Sequence, residues 1–140
     1  MAHTGFVYHP DYLNHQMGPH HPESPDRLRA ILGRLEGSGL MSRLVRLEPT
    51  PPDHEWITSW ITKVHTSTYL KDLRKVSPQE GQVALDPDTS ISPGSLNAAC
   101  LAVAGALAAA DAIMQGRVQN AFCAVRPPGR HAESSHAMGF

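Results

Sequence analysis

Nine histidines in 140 residues stand out in this sequence. Six fall into two groups, His9, His15, His20 and His21 near the start and His131 and His136 near the end. Imidazole exchanges a proton near neutral pH and also ligates transition metals. The second group lies in RPPGRHAESSHAMGF, Arg126 to Phe140. There Pro127 and Pro128 fix their backbone dihedrals and Gly129 tolerates unusual ones, a rigid mount for His131 as general base and acid. The alternative is a structural histidine beside a bare turn. His20 and His21 with Glu23, or His131 with His136, supply ligand types that zinc accepts, but neither set has the spacing of a Cys-x-x-Cys pair or a His-Glu-x-x-His helix. For the first set the alternative is a solvated loop with Glu23 paired to Arg27. Asp86 and Asp88 in LDPDT read as carboxylates that shape a turn through their own backbone. No serine sits in a nucleophile elbow and no glycine-rich phosphate loop is present.

The elements that must hold these residues alternate. TGFVY (4–8) reads as a strand, followed by a surface loop from His9 to Pro22. Ser24 and Pro25 open a helix carrying Leu28, Ile31, Leu32 and Leu35, which Gly37 and Gly39 stop. LVRL (44–47) is a second strand. Asp53 caps a helix through Trp56, Ile57 and Trp60, and Thr66 caps another with Tyr69, Leu70 and Leu73. Residues 77–91 show no period and read as a loop. Ser92 and Pro93 start a long helix whose stripe is Leu96, Cys100, Val103, Leu107 and Met114. Asn120 to Val125 then reads as a strand buried on both faces, with RPPG at its carboxyl end. This order predicts an α/β fold with a mainly parallel sheet flanked by helices, and such sheets bind ligands just past the carboxyl ends of their strands.

Length and composition bound the rest. The chain's 140 residues, 41% of them hydrophobic, suit a single domain over 1–140. Twelve basic and 13 acidic residues give a net charge of -1 without blocks, so neither nucleic acid nor an anionic membrane is an expected partner. The apolar run from Ala98 to Ala110 is mostly alanine and reads as too short to span a bilayer. Cys100 and Cys123 lie in apolar runs, which suits buried, reduced thiols and a cytoplasmic location.

Taken together and in order, TGFVY, HHPESPDRL, VHTSTYL, LDPDTSISPGS and RPPGRHAESSHAMGF resemble the histone deacetylase and acetylpolyamine amidohydrolase family, most closely the class II type and its bacterial relatives. The resemblance covers essentially the whole chain and implies an arginase-like α/β fold. It also implies chemistry in which zinc activates water against an acetyl-lysine or acetylpolyamine amide, helped by two adjacent histidines in an RPPGHHA motif. By position His131 matches the second histidine, the general base and acid. Asp88 matches the rim carboxylate that holds the substrate backbone, and Gly139 with Phe140 matches the wall of the acyl-lysine tunnel. The resemblance also implies that the rim loop around His20 and His21 faces substrate. Arg130 stands where the first histidine belongs, and a guanidinium cannot accept a proton, though it can offer charge to an oxyanion. In the family the zinc ligands and the transition-state tyrosine lie beyond the GF motif. The expectation is therefore an amino-terminal part that holds no cofactor of its own, is inactive alone, and forms a homo-oligomer through the strand 120–125. The alternative is a non-catalytic binding or assembly module.

Overall fold

The computed structural model describes residues 3–51 and 53–140. Its centre is β1 (Thr4–Val7), flanked by β2 (Leu44–Leu47) and β5 (Asn120–Cys123) in a sheet of order β2-β1-β5. Both pairings are parallel, with Gly5 in register with Val45 on one side and Ala121 on the other. Side chains alternate across a strand, so successive residues of β1 face opposite layers. Phe6 and Tyr8 pack with Leu28, Ile31, Leu32 and Leu35 of α1 (Asp26–Gly37). Val7 packs with Leu47, Val118, and Ala109 and Ala112 of α4 (Ser95–Met114). A three-layer arrangement of helix, sheet and helix results, as the alternation of elements requires.

Between β2 and α4 lie α2 (His54–Ile61) and α3 (Ser67–Val76), both started by the predicted caps. Asp53 Oδ1 accepts from the Trp56 N–H at 2.7 Å and Thr66 Oγ1 from the Tyr69 N–H at 3.2 Å. These bonds satisfy donors that a helix start leaves without partners. Several expectations change. Residues 77–91 are not an irregular loop, because β3 (Val83–Asp86) and β4 (Thr89–Ile91) form an antiparallel hairpin. Strands of four and three residues are too short to show alternation in sequence. β5 is an edge strand with Phe122 45% exposed, so it is not buried on both faces. The central strand β1 is the one whose Phe6 and Val7 are closed off.

α4 turns a different face to the sheet from the one its large residues suggest. The buried stripe is Ala98, Leu101, Gly105, Ala109 and Ala112, at spacings of three and four. The apolar residues at 96, 100 and 103 are only partly covered. Small residues let the helix axis come close: a Cβ at Gly105 would lie 2.6 Å from Val7 Cγ1 and 3.0 Å from the Tyr12 hydroxyl. The helix is also longer than the run of alanines suggests. At 20 residues and mean hydropathy 1.7 it is long and apolar enough to cross a membrane by length and composition, although its small-residue face is packed on the sheet.

The loop after β1 differs as well. It was expected on the surface, but a short 3-10 helix (Pro10–Asn14) turns Tyr12 and His15 inward to 0% and 1% exposure. Tyr12 donates its hydroxyl to the Leu101 carbonyl at 2.8 Å. What closes this loop over the sheet is Arg126, fully buried at the end of the β5 segment. Its Nε and Nη2 donate to Glu23 Oε1 and Oε2 at 2.8 and 2.7 Å, and Nη1 donates to the Tyr12 carbonyl at 2.8 Å. Glu23 thus pairs with Arg126 and not Arg27, whose Nη2 instead donates to the Val125 carbonyl at 2.7 Å. Beside this pair, His15 Nδ1 bonds Ser95 Oγ at 2.8 Å at the start of α4, and His15 Nε2 lies 3.8 Å from Glu23 Oε2 with no hydrogen-bond partner among the described residues.

Two predictions follow from this buried cluster. Arg126→Met strands the Glu23 carboxylate and should cost about 3–5 kcal/mol in urea unfolding, with a smaller loss for Arg126→Met combined with Glu23→Leu. His15 is driven from its ordinary 6.5 down to about 4, first by burial and then by the Arg126 charge. Between those values the unfolded chain binds the proton that the folded one refuses, so stability falls as pH drops from 6.5 to about 4. That loss should reach about 3 kcal/mol, and His15→Gln should flatten the slope within the window.

Candidate functional site

The loops leaving the carboxyl ends of β1 and β5 meet the β3–β4 hairpin, and the residues singled out from sequence gather there. The hairpin tip is shaped by Asp86, whose Oδ1 accepts from the Asp88 N–H at 2.7 Å. Asp86 thus acts as the expected turn-forming carboxylate, and it frees the Asp88 side chain to project from the turn. Asp88 Oδ1 is 3.1 Å from His21 Nε2, with the Asp88 side chain 69% exposed and that of His21 16% exposed. His20, its neighbour, is exposed.

Phe140 closes the other side of this cluster. Its ring meets that of His21 edge-on, with centroids 4.9 Å apart and planes at 74°. Its N–H donates to Thr89 Oγ1 of β4 at 3.4 Å. Gly139 stands at φ +79°, and a Cβ there would lie 2.5 Å from His131 Cβ and 2.8 Å from its Cδ2. The imidazole of His131 therefore rests directly on the glycine backbone, and both the dihedral and the contact exclude a side chain at 139. His131 and Arg130 are themselves exposed. The terminal loop is moored at its middle: the Thr66 N–H donates to the Ser134 carbonyl at 2.9 Å, and His65 Nδ1 lies 2.9 Å from the Glu133 carbonyl.

Beneath the rim lies a cavity of about 480 Å³ with mainly apolar walls. Leu96, Cys100 and Val103 of α4 face Leu73 of α3 across it, with Pro127 and Pro128 of the terminal loop. Leu96, Cys100 and Val103 thus line this space, while the stripe toward the sheet is mostly small residues. Both cysteines are partly covered rather than fully buried, and burial pushes each thiol above its ordinary value. A raised thiol is a poor nucleophile at neutral pH.

The histidines do not assemble a metal centre with one another. Among the described residues, no three His, Cys, Asp or Glu side chains come together so as to hold a metal ion. Glu23, one ligand of the first candidate set, is committed to Arg126. The nearest acidic partner of His136 is Glu133, at 3.7 Å. These residues do not fit the zinc that the resemblance implies. Sequence reading overlooked Arg126, Tyr12 and His15 as determinants of the site. The one available signal was an arginine closing the apolar run AFCAV, a costly place for a charge unless a carboxylate meets it.

Comparison with known proteins agrees with this geometry. The family model described as histone deacetylase domain matches residues 21–140. A probable deacetylase of Archaeoglobus fulgidus is 37% identical over 139 residues, covering 98% of this chain and 37% of that protein. A histone deacetylase-like amidohydrolase of Pseudomonas aeruginosa is 34% identical over 155 residues, covering 98% of this chain and 39% of that protein. The crystal structure of the HDA15 HD domain superposes with a TM-score of 0.87 at 33% identity, over 99% of this chain and 39% of that one. The chain thus spans about two fifths of the length of these relatives. With the parallel sheet between α1 and α4 and the rim assembled at its carboxyl edge, the matches establish that this chain belongs to the histone deacetylase domain family.

Proposed function

We propose that the chain forms the substrate-facing wall of an amide hydrolase acting on acetyl-lysine or acetylpolyamine, and that by itself it binds such a substrate without turning it over. The observation that carries this reading is the convergence of Asp88, His21, Phe140 and the Gly139–His131 contact on one rim. Each residue has a distinct task in it. Asp88 accepts hydrogen bonds from the substrate backbone with the lone pairs that His21 leaves free. Phe140 offers an aromatic surface to the alkyl chain of the acylated amine. In the hydrolase this wall belongs to, His131 would accept a proton from the water that attacks the amide carbon and return it to the amine as the C–N bond breaks. Arg130 keeps its charge and cannot serve as a second base, but it can stabilise negative charge developing on the amide oxygen. The expectation of no turnover is supported by the ligands at hand: among the described residues, no three His, Cys, Asp or Glu side chains come together to hold a metal ion.

A second reading, an assembly module that forms a homo-oligomer, is favoured by one observation. β5 pairs with β1 alone in the sheet order and carries Phe122, 45% exposed, next to an open edge. An edge strand with an exposed aromatic invites pairing with another chain.

Two measurements test these readings. The purified 140-residue chain, assayed on an acetyl-lysine peptide with added zinc, should show no turnover above background. Robust turnover that His131→Ala abolishes would overturn the proposal. In sedimentation, the same chain should run larger than a monomer and shift toward monomer on Phe122→Lys. A well-folded monomer at high concentration would count against self-assembly.

A further inference from the structure

The rim carboxylate stands on a hairpin tip of two short strands, and its side chain is 69% exposed. An aspartate so placed samples several rotamers, and each hydrogen bond it makes to a substrate must first overcome that freedom. His21 is the residue that removes it. The Glu23 N–H donates to His21 Nδ1 at 3.0 Å. A backbone N–H can only donate, so Nδ1 carries no proton and the hydrogen of the neutral ring resides on Nε2. That nitrogen lies 3.1 Å from Asp88 Oδ1, so the bond runs from the imidazole N–H to the carboxylate.

The ring that makes this bond is itself held on two sides. Its backbone contact is to Glu23, whose carboxylate Arg126 grips with two bonds of 2.8 and 2.7 Å. Its edge-on contact is to Phe140 at 4.9 Å. A rigid donor of defined tautomer therefore joins the buried ion pair to an exposed carboxylate. We propose that His21 is the positioning residue of the rim: through its Nε2–H it orients Asp88 for the backbone N–H groups of an acylated peptide. This deepens the function proposed above and rests on its reading of Asp88 as a substrate contact.

The test combines a tautomer measurement with a binding cycle on the full chain. Ring-nitrogen chemical shifts from NMR of the wild-type protein should show His21 protonated on Nε2 and bare on Nδ1; the opposite tautomer overturns the proposal without any substitution. Binding of an acetyl-lysine peptide, followed by fluorescence anisotropy, should weaken about tenfold in His21→Phe, which keeps an aromatic ring beside Phe140 but loses the donor. Asp88→Asn should weaken it similarly, the double variant no further than the single ones, and His21→Gln, which restores a side-chain N–H, should recover part of the loss. Independent, multiplying losses, or unchanged binding in His21→Phe, would refute the positioning role. Absence of peptide binding by the wild-type chain would refute the reading of Asp88 as a substrate contact and the positioning role with it, while the nitrogen shifts still report whether the hydrogen bond exists.

Discussion

The arrangement of the rim depends on one buried ion pair. Arg126 and Glu23 are separated by 103 residues, and their side chains are 0% and 8% exposed. Two charges taken from water cost several kcal/mol each, and a bidentate fork with a further bond to a backbone carbonyl is the geometry that offsets this. All three bonds are present, the third to Tyr12. One guanidinium thereby fixes the loop after β1, the approach to α1 and the start of the terminal loop. Because breaking one partner leaves an uncompensated buried charge, the three segments cannot drift independently. Pro127 and Pro128 follow Arg126 directly, so a stiff segment leaves a fixed point, and stiffness there carries position outward to His131.

α4 serves two surfaces at once, and its composition reflects the conflict. The face toward β1 needs close approach, which Gly105 and the alanines permit. The face toward α3 needs bulk, and Leu96, Cys100 and Val103 supply it while leaving an apolar cavity open. A helix apolar all round gives a weak amphipathic signal, so periodicity cannot say which face meets the sheet. Size decides it: Gly105 and the alanines of α4 let the helix approach Val7 of the sheet along its smallest residues.

Much of the fold was nonetheless legible. The caps at Asp53 and Thr66 were readable because they are local, each a side chain bonded to a backbone N–H three residues on. The strands at 4–7, 44–47 and 120–123 were readable from their β-branched and aromatic residues. The hairpin was not, since its two strands are too short for alternation and its residues are shared with turn chemistry. The burial of Tyr12 and His15 was hidden because proline, glycine and histidine mark a loop without saying whether its side chains turn inward. At the site, Asp88, His131, Gly139 and Phe140 were named through motifs, and the folded chain places them on one rim. The links between them, His21 to Asp88 and His131 to Gly139, join residues distant in sequence or at unremarkable spacings, and only packing reveals them.

The two ends of this rim differ in how firmly they are held, and the difference bears on their chemistry. Asp88, His21 and Phe140 form a closed set of contacts tied to a buried charge pair. His131 has a fixed backing in Gly139 but stays exposed, beside an Arg130 that is exposed as well. On the function proposed above, recognition of a backbone amide or alkyl chain needs preorganised acceptors and walls, and Asp88, His21 and Phe140 form the tied set of contacts on this rim. Proton transfer needs an imidazole whose partner and water access are controlled, because an exposed ring shares its proton with solvent as readily as with substrate. Exposure lets Arg130 turn its charge either toward a bound anion or away from it, whereas a histidine at 130 could act only through the geometry of its ring. The rim is therefore held more firmly at Asp88, His21 and Phe140, next to the Arg126–Glu23 pair, than at the exposed His131.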